Sequence, residues 1–207
     1  LVIDGISYTP GFSDRNYEYL DRYAPHIIEN GGQLPSHLEE KTQQAVRELI
    51  QKAAASMGIR NGVVKGDIVV TDGKPHVIEL AARLSGGYFC THEIPLNTGV
   101  DLVGAAMRQA LGERIDPKEL APKWCRAVAQ RYFFLSPGIV TSIRGVQQFV
   151  NHPDIPYLEV RAKLGDQIGS VDSHLARAGV VITTGDTCDS AVGLAEQVCR
   201  EIKISTK

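Results

Sequence analysis

Apolar positions along the chain follow two rhythms. Val46, Leu49, Ile50, Ala53 and Met57 recur at helical spacing, and Gly58 follows as a stop. Ser36-His37-Leu38-Glu39 ahead of them fits a capping box, in which Ser36 and Glu39 satisfy each other's backbone donors. Residues 100–111 predict a second amphipathic helix ending at Gly112, and residues 189–202 a closing helix capped by Asp189. Elsewhere the pattern is that of strands. Residues 1–8 predict one strand, ending at Thr9-Pro10-Gly11. Residues 62–70 and 75–80, joined through Asp72-Gly73, predict a hairpin. Short strands are expected over 127–135, 139–143, 158–162 and 178–184, whereas 12–35 is polar and aromatic, with Asn30-Gly31-Gly32 marking a loop.

Composition adds exclusions. The 207 residues are 43% hydrophobic and 22% charged, with a formal net charge of -2 and a pI near 6.3, so nothing points to nucleic acid or an anionic membrane as partner. No apolar run approaches the roughly 20 residues needed to span a bilayer. Cys90, Cys125, Cys188 and Cys199 form no C-x-x-C pair and read as reduced thiols, which places the protein in the cytoplasm. The chain opens on Leu1-Val2-Ile3 without an initiator Met and reads as cut from something longer. The Pro- and Lys-containing stretch 115–123 is the expected boundary between two parts, 1–114 and 115–207.

Candidate chemistry concentrates between Lys65 and Gly87. Asp67 and Glu79 are equidistant from the hairpin turn. With a three-residue connection, Asp72-Gly73-Lys74, they face each other; a two-residue connection shifts the register by one and separates them. Directly opposed side chains have Cβ atoms roughly 5 Å apart, where like charges repel. A divalent cation relieves that conflict, and Mg²⁺ is commonly held by one or two carboxylates together with substrate phosphates. Arg83, four residues past Glu79, offers a planar fork for a phosphate or carboxylate. Gly86 and Gly87 leave backbone N–H groups open to an anion. Taken singly these features are ordinary, since acids on hairpins are mostly solvated and a Gly-Gly is mostly a turn. The combination D-x(11)-E-L-x-x-R-x-x-G-G on a strand–turn–strand frame is more specific. His76 on the hairpin reads as exposed or packed, His92 close to Gly86-Gly87 could line a substrate pocket, and His152 and His174 have no partner pattern; nothing near Cys90 lowers its pKa, so it is not expected to act as a nucleophile.

That segment resembles the metal-binding end of the ATP-grasp superfamily, whose members include biotin carboxylase, carbamoyl phosphate synthetase, glycinamide ribonucleotide synthetase and the L-amino-acid (dipeptide) ligases. The likeness continues through Pro25–Glu29 and Gln33–Ser36, through Gly99–Val103 and Ala110–Glu113, and more weakly through Val180–Ile202. It implies an α+β fold: the C-terminal lobe of an ATP-grasp domain, mainly antiparallel sheet with flanking helices, followed by a small α/β subdomain. It also implies an ATP-dependent carboxylate–amine or carboxylate–thiol ligase working through an acyl phosphate. Asp67 and Glu79 match the ligands of Mg²⁺ (or Mn²⁺) on ATP, and Arg83 matches the arginine that stabilises the acyl-phosphate chemistry. Gly86, Gly87 and His26 are the further catalytic positions. Ala81 stands where many members carry a metal-binding Asn, and biotin carboxylase has a lysine near the position of His26. The implied partners are small-molecule carboxylate and amine substrates, an upstream ATP-grasp lid and pre-ATP-grasp domain, and a second copy in a homodimer. No lid, G-x-G-x-x-G or P-loop is present in these residues, so the chain by itself is expected to be inactive. The alternative is a non-catalytic nucleotide- or metal-binding module derived from the same fold.

Overall fold

The computed structural model describes residues 1–207. In chain order its strands and α-helices are β1 (Val2–Ile3), β2 (Ile6–Ser7), β3 (Asp14–Asn16), α1 (Leu20–Tyr23), β4 (Gly31–Leu34), α2 (Glu40–Ser56), β5 (Lys65–Thr71) and β6 (Lys74–Ala81). They continue with α3 (Ile94–Thr98), α4 (Leu102–Ala110), β7 (Ala127–Phe133), β8 (Gly138–Arg144), β9 (Tyr157–Val160), β10 (Gln167–Ile168), β11 (Gly179–Gly185), α5 (Cys188–Glu201) and β12 (Lys203–Thr206). No helix is long and apolar enough to cross a membrane. The mixture of helices and antiparallel strands is the expected α+β class.

Two compact units form, and they interleave in sequence. Leu1–Phe12 joins Ser36–Cys125, while Ser13–Pro35 joins Arg126–Lys207. A single division at 114/115 therefore does not describe how the chain is shared between them.

The first unit gathers its core from Leu1, Ile3, Cys90, Ile94, Val100, Leu102, Ala105, Ile115 and Leu120. The expected first strand is instead a miniature hairpin of β1 and β2, because Asp4 and Gly5 both take positive φ and turn the chain at once. Helix α2 starts at Glu40, later than the proposed capping box: Glu39 makes no side-chain cap, and Ser36 Oγ instead accepts from the Leu38 N–H at 3.1 Å within the preceding turn. It packs on β6, with Ile50, Leu80 and Ile68 converging over Gly66 on one face of the β5–β6 hairpin. The opposite face of that hairpin carries Lys65, Asp67, Glu79 and Ala81, since side chains alternate along a strand.

In the second unit an antiparallel sheet runs in the order β3-β4-β7-β11-β9, with α5 packed against β7 and β11. A three-stranded sheet, β10-β8-β12, completes it. The cap of α5 is Thr187 rather than Asp189: Thr187 Oγ1 accepts from the Ser190 N–H at 3.1 Å, and Ser190 Oγ accepts from the Thr187 N–H at 3.2 Å. Asp189 lies in the first turn, where a negative charge favours the helix dipole. Gly31 and Gly32 form strand β4 instead of a loop. A Cβ on Gly31 would meet the Gln130 carbonyl oxygen at 2.0 Å, so only glycine lets β4 lie this close to β7.

Candidate functional site

The β5–β6 turn has the shorter of the two connections considered. Thr71 pairs with Lys74, and Asp72 (φ 52°) and Gly73 (φ 72°) form the two-residue turn, both in the left-handed region that such hairpins require. Continued regularly, that register would set Asp67 across from Ile78. It does not continue regularly. Ile68 pairs with Val77 and Asp67 with Glu79, so Ile78 is the extra residue of a β-bulge. The bulge restores by one residue what the short turn removes, and the two carboxylates face each other after all.

A cation already stands between them. Lys65 Nζ donates to Asp67 Oδ2 and, at 3.3 Å, to Glu79 Oε1. Its side chain is 11% exposed, against 26% for Asp67 and 55% for Glu79. Lys65 pairs across the hairpin with Ala81, whose single methyl group leaves the long side chain room to reach along the face. The spacing of the acids does not point to this lysine; its place two residues before Asp67, hence on the same face of the strand, is the signal the sequence offers. Two opposed carboxylates with all-oxygen donors suit Mg²⁺ whose remaining ligands come from phosphate and water. No group of three or more His, Cys, Asp or Glu side chains is gathered to hold a metal by protein ligands alone.

Arg83 follows β6 on the surface, and one of its Nη1 N–H groups donates to the Leu84 carbonyl at 3.1 Å. Gly86 and Gly87 are exposed, Gly87 and Tyr88 both have positive φ, and the chain then enters a π-helical turn over Phe89–Glu93. Turns of that kind are frequent at functional sites. Glu93 in this turn is a buried carboxylate, with no motif in the sequence to mark it. Burial pushes the Cys90 thiol above its ordinary pKa, which agrees with an inert side chain. Asp67, Glu79, Arg83, Gly86 and Gly87 thus share the first unit. His26 belongs to the second, exposed on the turn after α1, where its N–H bonds the Tyr23 carbonyl at 2.8 Å.

The second unit contains a charged cluster of its own. Glu29 accepts from Arg15 at 2.9 Å and lies 3.8 Å from Arg177, whose Nη2 also donates to the Glu29 carbonyl at 2.9 Å. The Arg177 guanidinium stacks on Tyr132, 3.7 Å from the ring centroid, and burial lowers its pKa. His174 Nε2 accepts from the Glu29 N–H at 3.3 Å, and burial, followed by the charge of Arg177, lowers its pKa.

Comparison with known proteins identifies the fold. The family model for L-amino acid ligase C-terminal domain 2 matches residues 131–207. No curated protein matches the chain. Among solved structures, the L-amino acid ligase from Bacillus licheniformis is similar with a TM-score of 0.84 at 19% identity, over 100% of this chain and 52% of that one. Phosphoribosylglycinamide synthetase from Anaerococcus prevotii follows with a TM-score of 0.83 at 17% identity, over 98% of this chain and 52% of that one. The biotin carboxylase domain of Hydrogenobacter thermophilus 2-oxoglutarate carboxylase, solved as a dimer with MgADP, ADP and bicarbonate, gives 0.69 at 17% identity, over 99% and 44%. The chain therefore spans about half the length of these relatives and shares their fold over that part, with its residues 131–207 matching the L-amino acid ligase C-terminal domain 2.

Proposed function

We propose that this chain carries the metal- and acyl-phosphate-handling half of an ATP-dependent ligase that joins a small carboxylate to an amine or thiol. The observation that carries this reading is the bulge at Ile78: it sets Asp67 opposite Glu79 on an open hairpin face, four residues before Arg83. The matching C-terminal family and the fold of the relatives support the reaction class.

On this reading the substrate carboxylate oxygen attacks the γ-phosphorus of ATP, the bond from that phosphorus to ADP breaks, and an acyl phosphate results. The amine then attacks the acyl carbon, the carbon–oxygen bond to phosphate breaks, the nitrogen gives up a proton that leaves with the phosphate, and the amide remains. Asp67 and Glu79 would hold Mg²⁺, or Mn²⁺ in its place, which when bound neutralises charge spread over the phosphates. Arg83 is free enough at the surface to turn its planar fork toward the transferring phosphate or the oxyanion that follows. The exposed Gly86 and Gly87 segment is the candidate source of N–H donors to that oxyanion. By analogy with the dipeptide ligases, His26 is a candidate contact to the acyl phosphate. An upstream lid and pre-ATP-grasp domain would complete the nucleotide pocket, with a homodimer in the cytoplasm as the assembly, as the dimeric carboxylase relative suggests.

The test is phosphate release by the intact protein against a panel of amino acids with Mg·ATP, for wild type and Arg83→Lys. Removal of one donor of transition-state charge costs about a hundredfold in turnover. A fall of that order in the turnover of Arg83→Lys, with nucleotide affinity retained, supports the assignment. A variant keeping more than about half the wild-type rate makes Arg83 structural, and an intact protein that releases no phosphate with any carboxylate leaves only the binding-module alternative.

A further inference from the structure

Lys65 is the feature of this hairpin that the ligase reading does not use. Its side chain is only 11% exposed and lies along the same face as the carboxylates, and its ammonium bonds Asp67 and Glu79 together. It occupies the place between two acids where the attraction for a second cation is greatest. Ala81, directly across the ladder, offers no ligand of its own and leaves Lys65 the space to do so.

Resting on the assignment of Asp67 and Glu79 as metal ligands, we propose that Lys65 is a resident counter-cation that holds down the affinity of the pair for divalent ions in the absence of nucleotide. With the ammonium in place the three side chains carry a net charge of -1 instead of -2, and a divalent ion must approach against a positive charge in hydrogen-bond contact with its own ligands. A nucleotide changes that balance, because its phosphates bring negative charge and further acceptors for the ammonium. Metal and nucleotide binding are then positively coupled through one side chain, and the coupling is reciprocal. Lys65 is thus a positioning residue, acting through the carboxylates.

The experiment is titration of the chain with Mn²⁺ alone, reading free Mn²⁺ by electron paramagnetic resonance, with no nucleotide present. Lys65→Met keeps the length of the stem and removes the charge; Lys65→Gln serves if the methionine variant does not give a wild-type melt. The expected result is binding about tenfold tighter in either variant than in wild type, a gain that the added Glu79→Gln change abolishes. Binding by the Lys65 variants that is no tighter than wild type, but still weakened by Glu79→Gln, overturns the role of Lys65 and leaves the carboxylates as ligands. Binding that neither Glu79→Gln nor Asp67→Asn alters in any background removes the pair itself from metal binding, and the proposal with it.

Discussion

Lys65, Asp67, Glu79 and Ala81 act together because a strand places every second residue on one face and a bulge keeps two strands in step. Of these, the acids and the arginine beyond them were legible from residue type and spacing. Lys65 was not, since a lysine near acids is so common that only its burial and forked contact distinguish it. The same limit hid the cluster around Glu29, whose members are brought together from four separate stretches of chain. His174 gives that cluster a measurable signature. Its Nε2 accepts from the Glu29 N–H, a role open only to the neutral ring, and its pKa in the folded chain is lowered by burial and by Arg177. The unfolded chain therefore takes up the proton first, near pH ~6.5. The contribution of His174 to stability is full above that value and is lost as pH falls through it toward the lower folded value. Thermal melts between about pH 7.5 and pH 5.5 should show a falling midpoint, and His174→Gln, which does not titrate, should flatten the slope. An unchanged slope would assign the acid sensitivity to other groups.

Hairpins and amphipathic helices carry their own punctuation, so β5–β6, α2, α4 and α5 were all visible in the pattern of the chain. What the pattern could not supply was the register inside the hairpin. Spacing alone made the facing of Asp67 and Glu79 conditional on a three-residue turn, whereas the chain uses a two-residue turn and adds Ile78 as a bulge. A bulge has no residue signature comparable to Asp-Gly, because the extra residue is simply left out of the ladder; Ile78 is 70% exposed. The β4 strand was hidden for the opposite reason. Glycine is a turn signal on statistics, but here it marks close approach of two backbones. The turn itself can be tested. Gly73 sits at φ 72°, where a side chain is strained, so Gly73→Ala should destabilise the chain by about 1 kcal/mol in urea unfolding. Asp72→Asn should be neutral, as asparagine tolerates the left-handed conformation equally well. If the alanine variant unfolds at the wild-type midpoint, the turn can relax to another type, and the register that aligns the carboxylates is not fixed by it.

At the level of the whole chain the least legible property is the interleaving of the two units, because a boundary read from composition can only cut a sequence into consecutive pieces. The family match begins at residue 131, yet the sheet it belongs to does not. In the segment 14–34, strand β4 (residues 31–34) covers one edge of β7, with β3 (residues 14–16) beyond it, and every residue of β7 is buried. Leu34 and Ile28 from the same segment are fully buried, each worth roughly 2 kcal/mol of apolar burial. A piece comprising residues 126–207 alone would lose both, and would expose β7 as an unpaired apolar edge open to pairing with other copies. Such a piece should show a broad, low-temperature melt by circular dichroism and should self-associate as its concentration rises. A peptide spanning residues 13–35 added in trans should restore cooperative melting, by returning β4 to its place with Gly31 against the Gln130 carbonyl. The same peptide with Gly31→Val should fail, because its side chain would collide with that carbonyl. A piece that melts cooperatively at the temperature of the full chain without the peptide would mean that β7, β11, β9 and α5 are self-sufficient, and that the early segment is an addition to a finished unit.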